Sequence, residues 1–206
     1  MGLLDQMAAA GAPELYELPV ADARGVSDLL IPLAGEGAPI ASQVEREIGG
    51  VPSVVYTPEG EGPFPVFVFI HGGGWVINGP QHYHPVCQDL AAGAGCVVVS
   101  IDYRLAPEHK APAAAVDSIA ATAWVLDHAA EIGGDPTRVA VGGDSAGGNL
   151  SAVVAQHFGG RLAGQLLIYP AVDMTASFPS IEENAEGPFL TKQHMEWFSG
   201  HYMDDS

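Results

Sequence analysis

The stretch Arg138-Val139-Ala140-Val141-Gly142-Gly143-Asp144-Ser145-Ala146-Gly147-Gly148-Asn149-Leu150 decides the fold of this 206-residue chain. Its first half is an apolar run that predicts a buried strand, and the Ala/Val-rich run over 149–158 predicts a helix. Between them Gly143 and Gly147 flank Ser145 in the pattern Gly-x-Ser-x-Gly. A turn this tight holds its serine in a strained backbone conformation, and the flanking positions face crowded backbone that a side chain would meet. The turn lifts the serine Oγ clear of the sheet at the positive end of a helix, where it can attack a carbonyl carbon. In a chain with 26 glycines the pattern also arises by chance, so its meaning depends on what surrounds it.

The second informative stretch is His71-Gly72-Gly73-Gly74-Trp75, which follows the continuous apolar run Pro65-Val66-Phe67-Val68-Phe69-Ile70. The run predicts a central strand. Three successive glycines let the backbone turn with its N–H groups converging on one point, as a developing oxyanion requires. A flexible loop or a phosphate nest would share this composition, but no Walker-type lysine follows. A third apolar strand over 96–101 leads into Asp102-Tyr103-Arg104-Leu105-Ala106-Pro107-Glu108, and a long helix is predicted over 113–128. Strands over 43–48 and 51–56 precede these, separated from them by the turn Pro58-Glu59-Gly60-Glu61-Gly62-Pro63, and a last core strand falls over 164–169. Apolar strands alternating with helical stretches predict a doubly wound, mostly parallel α/β sheet with helices on both faces.

Twenty-five acidic against seven basic residues give a net charge of −18. That excludes nucleic acid as a partner and disfavours an anionic membrane surface. It fits either a well-solvated acidic surface or an adaptation to high salt, where ions screen the self-repulsion. The two cysteines, Cys87 and Cys96, supply no disulfide framework, and no basic-then-apolar leader opens the sequence, so a cytoplasmic setting is expected. Gln6 breaks the myristoylation pattern after Gly2, and no apolar run reaches membrane-spanning length. Prolines 13, 19, 32 and 39 divide the first 43 residues into short pieces, with helices predicted over 3–10 and 26–31. Within that part Leu29, Leu30 and Ile31 are the candidates for inward-facing residues.

Taken together, His71-Gly72-Gly73-Gly74-Trp75, Asp102-Tyr103-Arg104-Leu105-Ala106-Pro107-Glu108, Gly143-Asp144-Ser145-Ala146-Gly147-Gly148-Asn149 and Tyr169-Pro170 resemble the hormone-sensitive-lipase-like carboxylesterases, a branch of the α/β-hydrolase fold. Glu183-Asn184 and Gly187-Pro188-Phe189-Leu190-Thr191 are similar to the stretch after that family's sixth strand. The resemblance runs from about residue 45 onward and implies a division into a cap or lid segment (1–43), a partial hydrolase core (44–171) and a cap insertion cut short (172–206). It implies that Ser145 is the nucleophile and that the N–H groups of Gly73, Gly74 and Ala146 form the oxyanion hole. His71, Gly72 and Asp144 become supports of that loop, the 102–108 segment braces it, and Trp75 lines the substrate pocket. The implied substrate is a small acyl ester, with no metal and no organic cofactor.

The resemblance has a gap. A serine needs a base, the base an orienting carboxylate, and in this fold they follow the serine in the order acid, then histidine. After Ser145 the histidines are His157, His194 and His201, and neither an Asp-Pro-Leu-x-Asp nor a His-Gly-Phe segment occurs. His157 sits twelve residues along the helix that leaves the turn, which places it roughly 18 Å away. His194 and His201 share an amphipathic stretch with Met195, Trp197, Phe198 and Tyr202, without an orienting acid. His109 reads as structural, His128 as a surface or helix C-terminal residue, and His82 and His84 form an i, i+2 pair with no third metal ligand evident. The expectation is therefore a fold lacking its last two strands, with the acid and histidine of the triad absent and the 164–169 strand left as an open edge prone to self-association. The alternative is a non-catalytic small-ligand-binding module, or an inactive fragment, of the same fold. Plant hormone receptors that resemble this family keep the fold while the triad is altered.

Overall fold

The computed structural model describes residues 13–175, 177–187 and 189–203. The helix expected over 3–10, and Pro188 within the 187–191 stretch, lie outside the described residues.

Six strands form one sheet: β1 (Ser42–Ile48), β2 (Val51–Thr57), β3 (Phe64–Ile70), β4 (Val97–Ile101), β5 (Gly134–Asp144) and β6 (Gly164–Ile168). Their spatial order is β1-β2-β4-β3-β5-β6. The β1–β2 hairpin turns through Gly49-Gly50 and pairs antiparallel, β2 pairs antiparallel with β4, and the rest of the sheet is parallel. The helices are α1 (Val20–Asp28), α2 (His84–Ala94), α3 (Ala113–His128), α4 (Ala146–Phe158), α5 (Pro179–Glu183) and α6 (Lys192–Tyr202). The helix predicted over 113–128 is α3, and α4 begins at Ala146, directly after the serine, because the Gly-Gly pair at 147–148 is tolerated where the first turn packs on the sheet.

Alternation along the strands sorts the core into two layers. Val66, Val68 and Ile70 of β3 join Val97, Val99, Ile101, Val139 and Val141 beneath α3 and α4. Phe69 and Val98 face the other way, with Val54 and Tyr56, onto Cys87 and Ala91 of α2. The helix α2 carries no strong sequence signal: its stripe consists of Cys87 and Ala91, and Val86 on the same helix is 43% exposed. The α1 helix also sits earlier than the 26–31 segment expected to form it. It buries Ala23 and Ser27, while Leu29 is 77% exposed, because the helix ends at Asp28 and the chain turns outward before Leu29 and Leu30 can pack inward.

This topology fixes where a ligand can sit. From β3 the chain crosses through α2 to β4 on one side, then through α3 to β5 on the other. Loops that leave adjacent parallel strands toward opposite sides open a crevice at the strands' carboxyl ends. Ile70 pairs with Gly143 in the parallel ladder, so the glycine loop after β3 and the serine turn after β5 emerge side by side. At the far edge, β6 has no outer neighbour among the described residues, and Leu166 is 45% exposed. An apolar groove of about 480 Å³, walled by Pro65, Phe67, Leu90, Ala94, Ala140 and Leu166, runs along its α2 side. No helix among the described residues is long and apolar enough to cross a membrane.

Candidate active site

Ser145 stands at the tip of the β5–α4 turn with φ 52° and ψ −117°. That conformation is strained for a residue with a Cβ and persists only where the surroundings over-determine it. They do so here. The Ser145 N–H donates to the Ile168 carbonyl (2.9 Å), and its own carbonyl accepts from Asn149 N (3.0 Å) and Ala171 N (3.1 Å). Asn149 Nδ2 returns a bond to the Ala171 carbonyl (2.8 Å). The serine is thus gripped by the end of β6 and the Tyr169-Pro170-Ala171 segment. Gly143 and Gly147 are where the helix start crosses β3: a Cβ on either would lie 1.9 Å from the Ile70 carbonyl oxygen.

The glycine loop is tied to this turn by Asp144. Its Oδ1 accepts from Gly72 N (2.9 Å) and its Oδ2 from the Tyr83 hydroxyl (2.9 Å), while the Tyr83 oxygen also lies 3.2 Å from Gly72 N. Burial raises the Asp144 pKa, and the bonds from Tyr83 and Gly72 work against that rise. His71 is fully buried and stacks on Tyr103 at 4.2 Å with planes 13° apart. Its Nδ1 sits 2.7 Å from the Gly72 carbonyl, and the Tyr103 hydroxyl donates to the His71 carbonyl (2.9 Å). Desolvation lowers the His71 pKa to about 4, so at neutral pH it is an uncharged support. Behind it, Arg104 grips Asp117 of α3 through its backbone N–H (2.9 Å) and guanidinium (2.7 Å), anchoring the 102–108 segment.

Past His71 the loop twists through positive φ at Gly73 (116°), Gly74 (58°), Trp75 (62°) and Asn78 (72°). The Gly73 carbonyl accepts from Val76 N and Ile77 N (both 3.0 Å), closing the turn. The N–H groups of Gly73, Gly74 and Ala146 make no hydrogen bond among the described residues. The last of these is one of the orphan donors that begin any helix. Trp75 is placed differently from the pocket wall expected of it. The residue is 4% exposed, its ring stacks at 4.5 Å on Tyr202 of α6, and Phe198 of the same helix presses against Gly74.

Each of the eight histidines makes its described contacts with residues other than Ser145. His71 is described above. His82 Nε2 lies 3.1 Å from Asp28 Oδ1, close enough to pair but not aligned as a hydrogen bond, and His84 Nδ1 sits 2.7 Å from the Tyr56 hydroxyl. His109 follows the bracing segment, its N–H bonded to the Leu105 carbonyl. His128 stacks on Trp124, and His157 meets Phe158 at the distal end of α4. His194 caps α6 through Thr191 Oγ1 (2.8 Å), and His201 packs on Trp197. Among the described residues no histidine hydrogen-bonds Ser145, and no three His, Cys, Asp or Glu side chains could hold a metal ion. Sequence reading missed Tyr83, which joins Asp144 to Gly72. It sits between His82 and His84, with no spacing that marks it as a partner of a residue 61 positions away.

Comparison with known proteins bears on the family and the fold. A family model described as "alpha/beta hydrolase fold" matches residues 67–206. The chain is 47% identical over 169 residues to a carboxylesterase, NlhH, of Mycobacterium tuberculosis, covering 77% of this chain and 53% of that protein. Among solved structures, an ester hydrolase from the metagenome of Lake Arreo, complexed with a bipyridine phosphonate derivative, superimposes with a TM-score of 0.93 at 39% identity, covering 99% of this chain and 69% of that one. A hyperthermophilic esterase from the archaeon Pyrobaculum calidifontis gives 0.88 at 38% identity, covering 98% and 69%. The chain spans about half the length of the curated relatives it matches.

Proposed function

Because this chain belongs to the α/β-hydrolase-fold family, in the branch resembling hormone-sensitive lipase, we propose that it carries the nucleophile and oxyanion site of a carboxylic ester hydrolase acting on small acyl esters. The observation that carries this is the trio of N–H donors without a hydrogen bond among the described residues, Gly73, Gly74 and Ala146, beside a serine held at φ 52°. In this reading Ser145 Oγ bonds to the ester carbonyl carbon as its proton passes to solvent water, since the acid and histidine of a triad are absent from the described residues of this chain. The carbonyl oxygen becomes an anion held by the three donors, each worth about 2.7–4 kcal/mol of barrier. Collapse expels the alcohol, which takes a proton, and water then releases the acid from the acyl-serine. Asp144, Tyr83 and His71 hold the donors in place and do not touch substrate. The segment 1–43 serves as lid and 172–206 as cap, a division supported by α1 and α6 both packing on the glycine loop. A cytoplasmic setting belongs to the same reading and is supported by two buried, unpaired thiols, Cys87 and Cys96.

A second reading, a non-catalytic ligand-binding module, is favoured by one observation: no described histidine reaches Ser145. One experiment separates the two. A fluorophosphonate probe is expected to label the purified chain slowly at Ser145 and not to label Ser145→Ala, with p-nitrophenyl butyrate turnover far below that of a complete esterase. Oxyanion donors and binding without a full triad retain roughly 10³–10⁴-fold over water. No labelling supports the binding module. Turnover near that of a complete esterase, lost in Ser145→Ala, overturns the incomplete triad.

Self-association through β6 belongs to the same proposal. Its outer edge has no strand partner among the described residues and lies beside Leu166 (45% exposed) and Tyr169 (75%). The chain is expected to run as oligomers in light-scattering chromatography, and Leu166→Lys is expected to shift it toward monomer. A sharp wild-type monomer peak with a cooperative melt counts against the idea.

A further inference from the structure

The glycine loop holds two non-glycine residues, Trp75 and Asn78, at positive φ, so something outside the loop must keep it there. One face of α1 does. Residues 24, 27 and 28, at i, i+3 and i+4, all point at the loop's far side. Arg24 Nε donates to the Val76 carbonyl (2.9 Å) and its Nη2 to the Ala106 carbonyl (2.9 Å). Its Nη1 and Nη2 also form a two-pronged pair with Glu108 (2.9 and 2.7 Å). Ala106 N donates in turn to the Trp75 carbonyl (2.9 Å), so the guanidinium closes a circuit from residue 75 through 106 and back to 76. Ser27 hydrogen-bonds Asn78, and Asp28 pairs with His82.

We propose that Arg24 is a positioning residue of this site: its planar fork clamps the carbonyls of Val76 and Ala106 and so fixes the direction of the Gly73 and Gly74 N–H groups. The proposal rests on reading those groups as oxyanion donors. A lysine offers a point charge and cannot span two carbonyls and a carboxylate at once. The bond from Arg24 also holds the Glu108 carboxyl down at about 2, so the clamp stays charged across the working pH range.

The test uses the full chain with Arg24→Ala, Arg24→Lys and a distant control, Arg161→Ala, whose side chain pairs with Asp127 on an exposed surface. Arg24→Ala is expected to slow fluorophosphonate labelling of Ser145 about tenfold, and to speed amide exchange over 73–77 about tenfold, on the scale of a charged hydrogen bond to the loop. Millimolar guanidinium is expected to restore part of the labelling, Arg24→Lys to behave like Arg24→Ala, and Arg161→Ala like the wild type. Faster exchange confined to α1, with the loop and labelling unchanged, reduces Arg24 to a helix anchor and overturns the inference. A wild type that fails to label defeats the esterase reading, and loop exchange then decides the role of Arg24 by itself. Should Arg24→Ala not fold, the same two readouts on Arg24→Lys, with and without guanidinium, separate a loop clamp from a helix anchor.

Discussion

Gly147→Ala is expected to destabilise the fold by about 3 kcal/mol or more, in the range of forced overpacking. The added Cβ would lie 1.9 Å from the Ile70 carbonyl oxygen and 2.6 Å from that of His71. Both are backbone atoms at the end of the central strand, so neither can swing aside as a side chain would. Relief requires α4 to lift from β3, which also loosens the Leu150 and Val154 contacts beneath it. At roughly 2–4 °C per kcal/mol for a domain of this size, the melting temperature should fall on the order of 10 °C. Gly160→Ala is the control, since nothing lies within 4 Å of a Cβ there. Its effect should stay within about 0.5 kcal/mol. Equal melting temperatures for the two variants would show that α4 does not make this close approach.

Acidification is the second large effect, and His71 dominates its first stage. The ring is fully buried with a pKa of about 4, against an ordinary value of 6.5, because burial disfavours the imidazolium. The folded value is the depressed one. The contribution is therefore fully present above pH 6.5 and is lost as pH falls toward 4, where the unfolded chain takes up a proton that the folded chain refuses. The full loss is about 3 kcal/mol, from roughly 1.36 kcal/mol per pKa unit. Glu108, held at about 2 by Arg24, adds a smaller loss below about pH 4.5, weakened by its exposure to solvent. Asp144 works with the opposite sign: its raised pKa makes the folded state relatively more stable as the carboxyl protonates. His71→Phe keeps a ring against Tyr103 and removes the titrating imidazole, together with its Nδ1 contact to the Gly72 carbonyl. Urea unfolding at pH 7 and pH 4.5 should show the wild type losing about 2–3 kcal/mol more than this variant. Parallel losses would mean that His71 is already charged, or exposed, in the fold.

Residues that act through local pattern are legible in the sequence itself. The continuous apolar runs of β3 and β4 declare strands buried on both faces, and the Gly-x-Ser-x-Gly turn declares the serine between strand and helix. The α3 helix is as long as its apolar run predicts. Where the pattern was weak, the reading slipped. The α2 helix opens on His84-Pro85 and buries mainly a cysteine and an alanine, too little apolar contrast to reveal its period. Leu29, Leu30 and Ile31 look like core because they are apolar, yet the turn after Asp28 leaves Leu29 77% exposed. Trp75 looks like a pocket wall because it adjoins the glycine loop, yet Tyr202, 127 residues later, covers its face.

What the sequence determined by itself was the individual strands, the serine turn and the glycine loop, since each depends on neighbours within a few residues whose sterics are written in their order. Only the tertiary structure decided how the site is held. The Asp144–Tyr83–Gly72 bridge, the His71–Tyr103 stack and the Arg24 clamp join residues 11 to 84 positions apart. Such pairings are set by the strand order β4-β3-β5, which places the ends of β3 and β5 together. A spacing in sequence carries no record of that adjacency, because it comes from burying both faces of the sheet at once.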